Sequence, residues 1–554
     1  MKPEMKKYMI VAAMAGLLGT AACNKLEIAP KDEINDREMA YKNDVIRNQI
    51  LTGIYSLLYN DATWGNMIPI RLEAATDVQI TRMSTSGSPE NNSHTSQSDL
   101  VEENWRVLYQ GINAANEFLY YSDLYVPDGE NKTQSMGEAR FLRAYFYFTL
   151  VRLYGDVPFR TQPTFDVVNT DIARTSAVEV YDFIVKELEK AQGELGDPLE
   201  VSYGRVSKTA AQTALADVYL NLAGELMKNR LPADSTSELM HRRAAYWCEQ
   251  VLANPAHDIA ATEYSTVFLN QVRSVTNVAE QVWELQPKYM IEEGYRCDSR
   301  LGKYNGMGNA VDGVYNARAA IYAGIPLRNL YGKLSADDLE NDDRYDWNCP
   351  WTRIGAGSKL GSPVYVEIDR QHRNIYRLFP GKWRTIFANT VAESSDINYS
   401  GARLSIYRIA DVHLMYAEAL NAGSDDQAGA IAQINKVRAR AHASAIPDSP
   451  MPSKEEVFGL IVDERARELC YEGKRRFDLI RWGLYETKVR EAAKTYENPQ
   501  PNASWVTTAM LAGFVNFNAA RHEILPIPQS EISRNALIPQ SEQNEGWGGN
   551  RKWK

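Results

Sequence analysis

A helix that is apolar on every side must be wrapped by other helices, and residues 137–159 contain one. From Gly137 the chain reads Glu-Ala-Arg-Phe-Leu-Arg-Ala-Tyr-Phe-Tyr-Phe-Thr-Leu-Val-Arg-Leu-Tyr-Gly-Asp-Val-Pro-Phe159. Apolar residues at 141, 142, 144–146, 148, 150, 151, 153 and 154 leave no polar face. Arg140, Arg143 and Arg152 must then meet carboxylates, because a guanidinium keeps its charge and is costly to bury unpaired. Gly155 ends the helix and Pro158 forbids a restart. The segment predicts a helical protein built around a central helix.

Helical spacing recurs on both sides. Glu38 to Tyr59 reads as a first helix, Trp105 to Asn116 as another, with Trp105 on one face with Tyr109 and Ile112 and so a core residue. Ser176 to Leu195 and the Ala-rich Gly204 to Leu220, with Ser207 as N-cap, follow, then His241 to Leu252. Small residues at Ala210, Ala211, Ala214 and Ala216 let a neighbouring helix approach closely. This succession predicts a mainly α, tetratricopeptide-like helical solenoid. From about Tyr264 to Tyr399 the period breaks down into a large, irregular, loop-rich insertion, with Glu280 to Glu284 reading as a short strand. Helices resume at Tyr407 to Asn421, Ala430 to Ala441 and Val457 to Trp482.

The wording of these helices is specific. The run from Glu138 to Pro158, the helix from Trp105 to Asn116, the segment Ile434-Asn-Lys-Val-Arg-Ala-Arg-Ala441, and Glu464-Arg-Ala-Arg-Glu-Leu-Cys-Tyr-Glu-Gly-Lys-Arg-Arg-Phe-Asp-Leu-Ile-Arg-Trp-Gly483 resemble the SusD/RagB family. So do Asp342-Asp343-Arg344, with an expected structural role, and the closing Glu523-Ile-Leu-Pro-Ile-Pro528 and Asn544-Glu-Gly-Trp547. The resemblance implies a surface lipoprotein that binds nutrients, usually glycans, beside a SusC-type TonB-dependent outer-membrane transporter.

The N-terminus agrees with export. Lys2, Lys6 and Lys7 precede an apolar run, Tyr8 to Leu18, too short to span a bilayer stably, and Thr20-Ala-Ala precedes Cys23 like a lipobox whose usual leucine is replaced by Thr20. The expected organisation is a signal peptide at 1–22, a tether at 23–37 acylated on Cys23, a helical region at 38–260, the insertion at 261–400 and a second helical region at 401–554. The mature chain is expected at the outer membrane, held by lipid.

Charge and motifs narrow the chemistry. A net charge of −10 without basic blocks excludes nucleic acid as a partner. No Gly-x-Ser-x-Gly elbow, His-Glu-x-x-His helix or phosphate loop occurs, so neither a catalytic centre, a metal nor a cofactor is expected. The alternating Glu464, Arg465, Glu468, Glu472, Arg476, Asp478 and Arg481 read as a structural ion-pair network. Cys248 and Cys470 read as buried thiols, whereas Cys297 and Cys349 lie in loop-like segments that permit a disulfide in an exported protein. The motifs favour a glycan-binding protein over two alternatives, a secreted polysaccharide-degrading enzyme on a helical scaffold and a family member binding peptide.

Sugar recognition needs aromatic faces together with amide, carboxylate or guanidinium groups on surface loops. Two stretches supply them: Trp64, Asn66, Arg71 and Asp77 in the first, followed by an apparently exposed Ser84–Ser98 loop, and Tyr295, Asp298, Tyr345, Trp347 and Trp351 in the insertion. Loss of Trp347 or Trp351 is expected to weaken binding by about 1–3 kcal/mol.

Overall fold

The computed structural model describes residues 31–83, 85–165, 170–289, 299–308, 310–332, 341–368, 378–497 and 508–552. Two helices open it, α1 (Lys31–Lys42) and α2 (Asp44–Leu58). They replace the single helix expected over 38–59, because the Asn43 side chain accepts from the amides of Val45 (2.9 Å) and Ile46 (3.2 Å) and caps a new helix there. Helix α1 also starts inside the stretch read as tether.

The next helices are α3 (Asp99–Tyr125), α4 (Glu130–Tyr154), α5 (Ala177–Glu194), α6 (Lys208–Ala223) and α7 (Ser237–Leu252). Each packs on the one before it. Helix α4 is the wrapped helix: Phe141, Leu142, Phe146, Leu150 and Tyr154 are fully buried. Its approach to α3 is close enough that a Cβ on Gly111 would lie 2.3 Å from the Phe146 ring. The three arginines find their partners. Arg140 and Arg143 pair with Glu194 and Glu187 of α5, and Arg152 lies between the rings of Phe148 (3.8 Å) and Phe477 (4.3 Å), 3.4 Å from Asp217. Ser207 caps α6 through Ala210, and four fully buried alanines at 210, 211, 214 and 216 pack there.

Helix α8 (Tyr264–Arg273) extends helical order into the stretch read as irregular. The chain returns to the solenoid as α9 (Ile409–Gly423), which packs on α7, and continues through α10 (Gln427–Arg440), α11 (Lys454–Leu469), α12 (Arg475–Arg481) and α13 (Tyr485–Lys494). The segment read as one helix over 457–482 breaks at Tyr471 and Gly473, which have φ of 69° and 77°.

Short ladders hold the long insertion. Strands are β1 (Gln79–Thr81), β2 (Gln281–Leu285), β3 (Ile321–Ala323), β4 (Thr352–Ile354), β5 (Tyr365–Glu367) and β6 (Leu404–Arg408). Antiparallel β2–β6 pairing, with Gln281 opposite Arg408 and Leu285 opposite Leu404, closes the insertion at its base. Antiparallel β1–β3 pairing, with Gln79 opposite Ala323, ties it to the stretch after α2.

A buried charge network adds a further anchor. Arg344 is fully buried, with Nη1 2.6 Å from Glu464 and 3.0 Å from Glu468 and Nη2 2.7 Å from Asp342. Lys382 reaches Glu472 at 2.6 Å, and Arg408 reaches Glu472 at 2.8 Å and Glu280 at 3.0 Å. The insertion is thereby charged onto α11, and the Asp342–Arg344 motif is structural. Removing one partner from such a network costs about 3–5 kcal/mol, since the other charge stays buried. Cys248 and Cys470 are buried free thiols; so is Cys349, while Cys297 lies outside the described residues.

Candidate ligand-binding site

The two stretches expected to form the site do meet, through the β1–β3 ladder. Most of the individual residues expected to touch ligand do not reach the surface. Trp64 is 1% exposed, its ring 6.3 Å from Tyr145 of α4. Asn66 is buried beside it. Asp77 is buried and accepts from Arg475 Nε (2.8 Å) and Nη2 (2.6 Å), joining this stretch to α12. Arg71 is held by Glu90 at 2.7 Å. Tyr345 and Trp351 are buried in the main core that the insertion shares with the helices, the indole N–H donating to the phenol. Trp347 is half-buried, with the Arg384 guanidinium 4.0 Å from its centroid and Phe268 nearby (6.5 Å between centroids, 28°). Tyr295 and Asp298 lie outside the described residues.

The correction has one physical cause. Large aromatic side chains and carboxylates in irregular segments were read as exposed because loops usually are; here the loops fold back onto the helices and contribute those side chains to the main core and its ion pairs. The polar loop 85–98 behaves likewise. Glu90, Asn91, Asn92 and His94 are buried, and Asn92 Nδ2 donates to the carbonyl of Gly513 (2.8 Å) while Asn516 Nδ2 donates to that of Asn91 (2.9 Å). These two amides are satisfied by another segment's backbone, Glu90 pairs with Arg71, and His94 packs against the rings of His522 and Trp547.

What the ladders bring to the surface is a ridge of guanidiniums and tyrosines. An isolated antiparallel bridge between Ser299 and Ser400, with amide-to-carbonyl distances of 2.9 and 2.8 Å, sets Arg300 beside Tyr399. Arg300 Nε and Nη2 donate to Asp61 Oδ2 at 2.8 and 2.6 Å, Nη1 donates to the Tyr304 hydroxyl (2.7 Å) and Nη2 to that of Tyr399 (2.8 Å). Its carbon lies 4.9 Å from the Tyr304 centroid and 4.6 Å from that of Tyr399. The exposed Arg318 donates to Asn398 Oδ1 at 2.7 Å and leans on Tyr304 at 5.7 Å. Arg82, just beyond β1, donates through Nη2 to the Arg318 carbonyl at 2.7 Å. Three positive groups, the half-buried Tyr399 ring and an amide thus share one surface, over the buried ring of Tyr304.

Lys303 braces this ridge from below. It is fully buried, and Nζ donates to the carbonyls of Ser394 (2.7 Å) and Asn316 (3.1 Å). Among the described residues no carboxylate lies within ion-pair distance of it. Burial pushes its pKa down to about 7, against the opposing pull of Asp396 and Glu393. A neutral amine has two N–H groups, which suits two carbonyl acceptors. Burial also pushes Glu393 upward.

Sequence reasoning missed Asp61, Arg82, Arg300, Arg318, Asn398 and Tyr399 as site residues. The available signal was arginine recurring near tyrosine between 300 and 318; the partner at Asp61 lies 239 positions away and has no local trace.

Residues 337–547 match the family described as "SusD family", and residues 31–220 that described as "Starch-binding associating with outer membrane". The chain belongs to the SusD family. It is 26% identical to SusD-like protein P2 of Formosa agariphila, over 97% of this chain and 99% of the other. It is 24% identical to starch-binding protein SusD of Bacteroides thetaiotaomicron, over 74% and 72% of the two chains. Among solved structures, a SusD homologue from Bacteroides thetaiotaomicron superposes with a TM-score of 0.78 at 24% identity, covering 92% of this chain and 98% of that one. A laminarin-binding SusD-like protein superposes with a TM-score of 0.65 at 21% identity, covering 91% and 100%. The mainly helical, tetratricopeptide-like architecture is that of these SusD proteins. Among the described residues no helix is long and apolar enough to cross a membrane, and Cys23 lies outside them.

Proposed function

We propose that this SusD protein is a non-catalytic lipoprotein of the cell surface that captures oligosaccharides at the Arg300–Arg318–Tyr399 ridge and delivers them to a SusC-type TonB-dependent outer-membrane transporter. The observation that carries the reading is the convergence of two distant loop stretches, through the β1–β3 ladder and the Ser299–Ser400 bridge, on one surface of guanidinium and phenol groups. Arginine donors in a planar fork match pairs of vicinal hydroxyls, and tyrosine rings match the apolar face of a pyranose. The family description associating its members with the outer membrane, and relatives named for starch and laminarin binding, support the same reading. Acylation of Cys23 supplies the anchor.

Capture fits the ridge better than cleavage. Its nearby carboxylates are engaged in holding structure: Asp61 accepts from Arg300, and Asp396 accepts from the amides of Asn398 (2.7 Å) and Tyr399 (3.0 Å) and from the Tyr289 hydroxyl (3.1 Å). Two-carboxylate glycoside hydrolysis needs both groups facing the scissile bond.

Affinity electrophoresis through gels containing starch, laminarin and other polysaccharides tests the reading. At least one should retard the wild type, release no reducing sugar, and retard Arg318→Ala and Tyr399→Ala less, by about 1–3 kcal/mol in affinity. Release of reducing sugar, or unchanged retardation of both variants, would count against it. Gentle detergent extraction should recover a TonB-dependent transporter with the protein in roughly equal amount; repeated recovery of a lone monomer opposes the partnership.

A further inference from the structure

A second cavity, separate from the ridge in residues and elements, lies along α3. It holds about 530 Å³ between α3, residues 158–164 with Thr170 and Ile172, and the short helix Gln529–Arg534, within the usual size of a small-ligand site. Its floor is apolar, with Tyr109, Pro158 and Ile172 beside the edge of Trp105. Its rim carries three carboxylates, Glu102, Glu117 and Glu531, and three guanidiniums, Arg106, Arg160 and Arg534.

Two features say what fits there. The rim charges balance, and several already hold local partners: Arg106 with Glu103, Glu117 with Asn113 Nδ2 (2.8 Å), Arg160 with Thr164 Oγ1 (3.2 Å) and Glu531 with Asn535 Nδ2 (2.8 Å). No net field remains to select an anion or a cation, while spare lone pairs and N–H groups suit a molecule with many hydroxyls. The second feature lies at one end of the cavity. Gln110, Asn113, Glu117, Tyr120 and Leu124 follow at steps of three and four and so form one stripe of α3. The first three line the cavity, and Tyr120 continues them outward. There its ring meets Phe165, the neighbour of the lining residue Thr164, edge-on at 5.1 Å, and the two side chains remain 41% and 63% exposed. An exposed aromatic pair at the mouth of a hydroxyl-matched, charge-balanced cavity is a stacking platform followed by a polar slot.

We infer that this cavity is a second, independent saccharide site, which takes a neutral oligosaccharide with one sugar stacked on an exposed ring of the Tyr120–Phe165 pair and the next units lying along Glu117 and Gln110. The inference rests on the reading of the protein as a glycan binder and extends it to two sites on one chain. A long polysaccharide could then be held twice, raising its residence time without any new contact at the ridge.

An immobilised panel of neutral oligosaccharides, including maltoheptaose and laminarihexaose, with acidic pectin and alginate fragments, tests it on the full chain. Tyr120→Ala/Phe165→Ala removes the platform and Gln110→Trp fills the slot; both alter exposed positions, and circular dichroism melting checks that they fold. Each should lower retention of at least one neutral glycan about tenfold, while Arg318→Ala/Tyr399→Ala acts separately and additively. Loss with the ridge variants alone leaves the proposed function standing and overturns the second site. Changes confined to acidic glycans overturn the neutral class. Unchanged glycan retention with loss of the co-purifying transporter makes this a protein-docking face and overturns the inference. A wild type that retains no glycan overturns both readings together.

Discussion

Asp77→Ala separates a ligand-contacting carboxylate from a structural one. Asp77 was expected at the ligand, but its two oxygens accept from Arg475 at 2.8 and 2.6 Å, and Arg475 also donates from its backbone N–H to Glu73 (2.6 Å) and through Nη1 to the Val462 carbonyl (2.8 Å). Three segments therefore meet at one buried guanidinium. Without Asp77 that charge keeps only the weaker influence of Asp478 and Asp463, so the cost belongs near the lower end of the range for a broken buried pair, about 3 kcal/mol. A urea titration followed by far-ultraviolet circular dichroism should show the midpoint falling accordingly with little change in slope. Replacing both partners, Asp77→Leu with Arg475→Met, should recover most of the loss, because no unpaired charge is left. Asp77 also lies two residues before β1, so the single variant should weaken glycan retention by loosening the ladder under the ridge, and the double variant should restore it. A single variant with an unmoved midpoint that no longer binds glycan would refute this and return Asp77 to the ligand.

Other perturbations give equally direct readings. Trp351→Ala should destabilise by about 3–5 kcal/mol in the same titration, as for a buried aromatic; Trp347→Ala should cost less and leave ridge binding unchanged, and a selective loss of binding would oppose the placement of both. Lys303 binds fewer protons when folded than when unfolded between its depressed pKa of about 7 and the ordinary lysine value near 10.5. The Lys303 contribution to stability therefore rises with pH across that window, by at most about 1.4 kcal/mol per pH unit; urea midpoints from about pH 7 to about pH 9.5, below tyrosine ionisation, should rise in the wild type relative to Lys303→Met, the slope given by the other buried groups being common to both. Labelled fatty acid should enter the wild type and not Cys23→Ala; equal incorporation would sink the lipid anchor.

The scaffold was legible because its signal is local. The Phe141–Tyr154 run is apolar at every helical angle, and the arginines on it and on α11 and α12 announce partners even where the partner is unknown. Irregular segments offer no such period. Nothing in the local sequence of Trp64 or Trp351 distinguishes a ring that stacks on sugar from one that joins the main core, and the decision depends on neighbours far along the chain: Tyr145 for Trp64, the β1–β3 ladder for Arg82 and Arg318. The break at Asn43 was readable in principle, since asparagine before Asp44 is a cap; the apolar spacing on either side of it was allowed to override that signal.

The same division explains why the family could be recognised while its ligand residues could not. Among the residues that carry the resemblance, Arg344, Glu464, Glu468, Glu472 and Arg475 are buried and bind one another, other buried charges or the backbone. Changing one leaves a charge stranded, so the wording around them is constrained by energies of several kcal/mol. Arg82, Arg300, Arg318 and Tyr399 sit on the outside of short ladders whose hydrogen bonds are between backbone groups, as in the Ser299–Ser400 bridge. Such a ladder accepts many side chains at its surface without losing its geometry, so the ridge can change its sugar while the network holds the loops in place. The motifs mark the frame, and the specificity of this SusD protein must be sought in the positions they leave free.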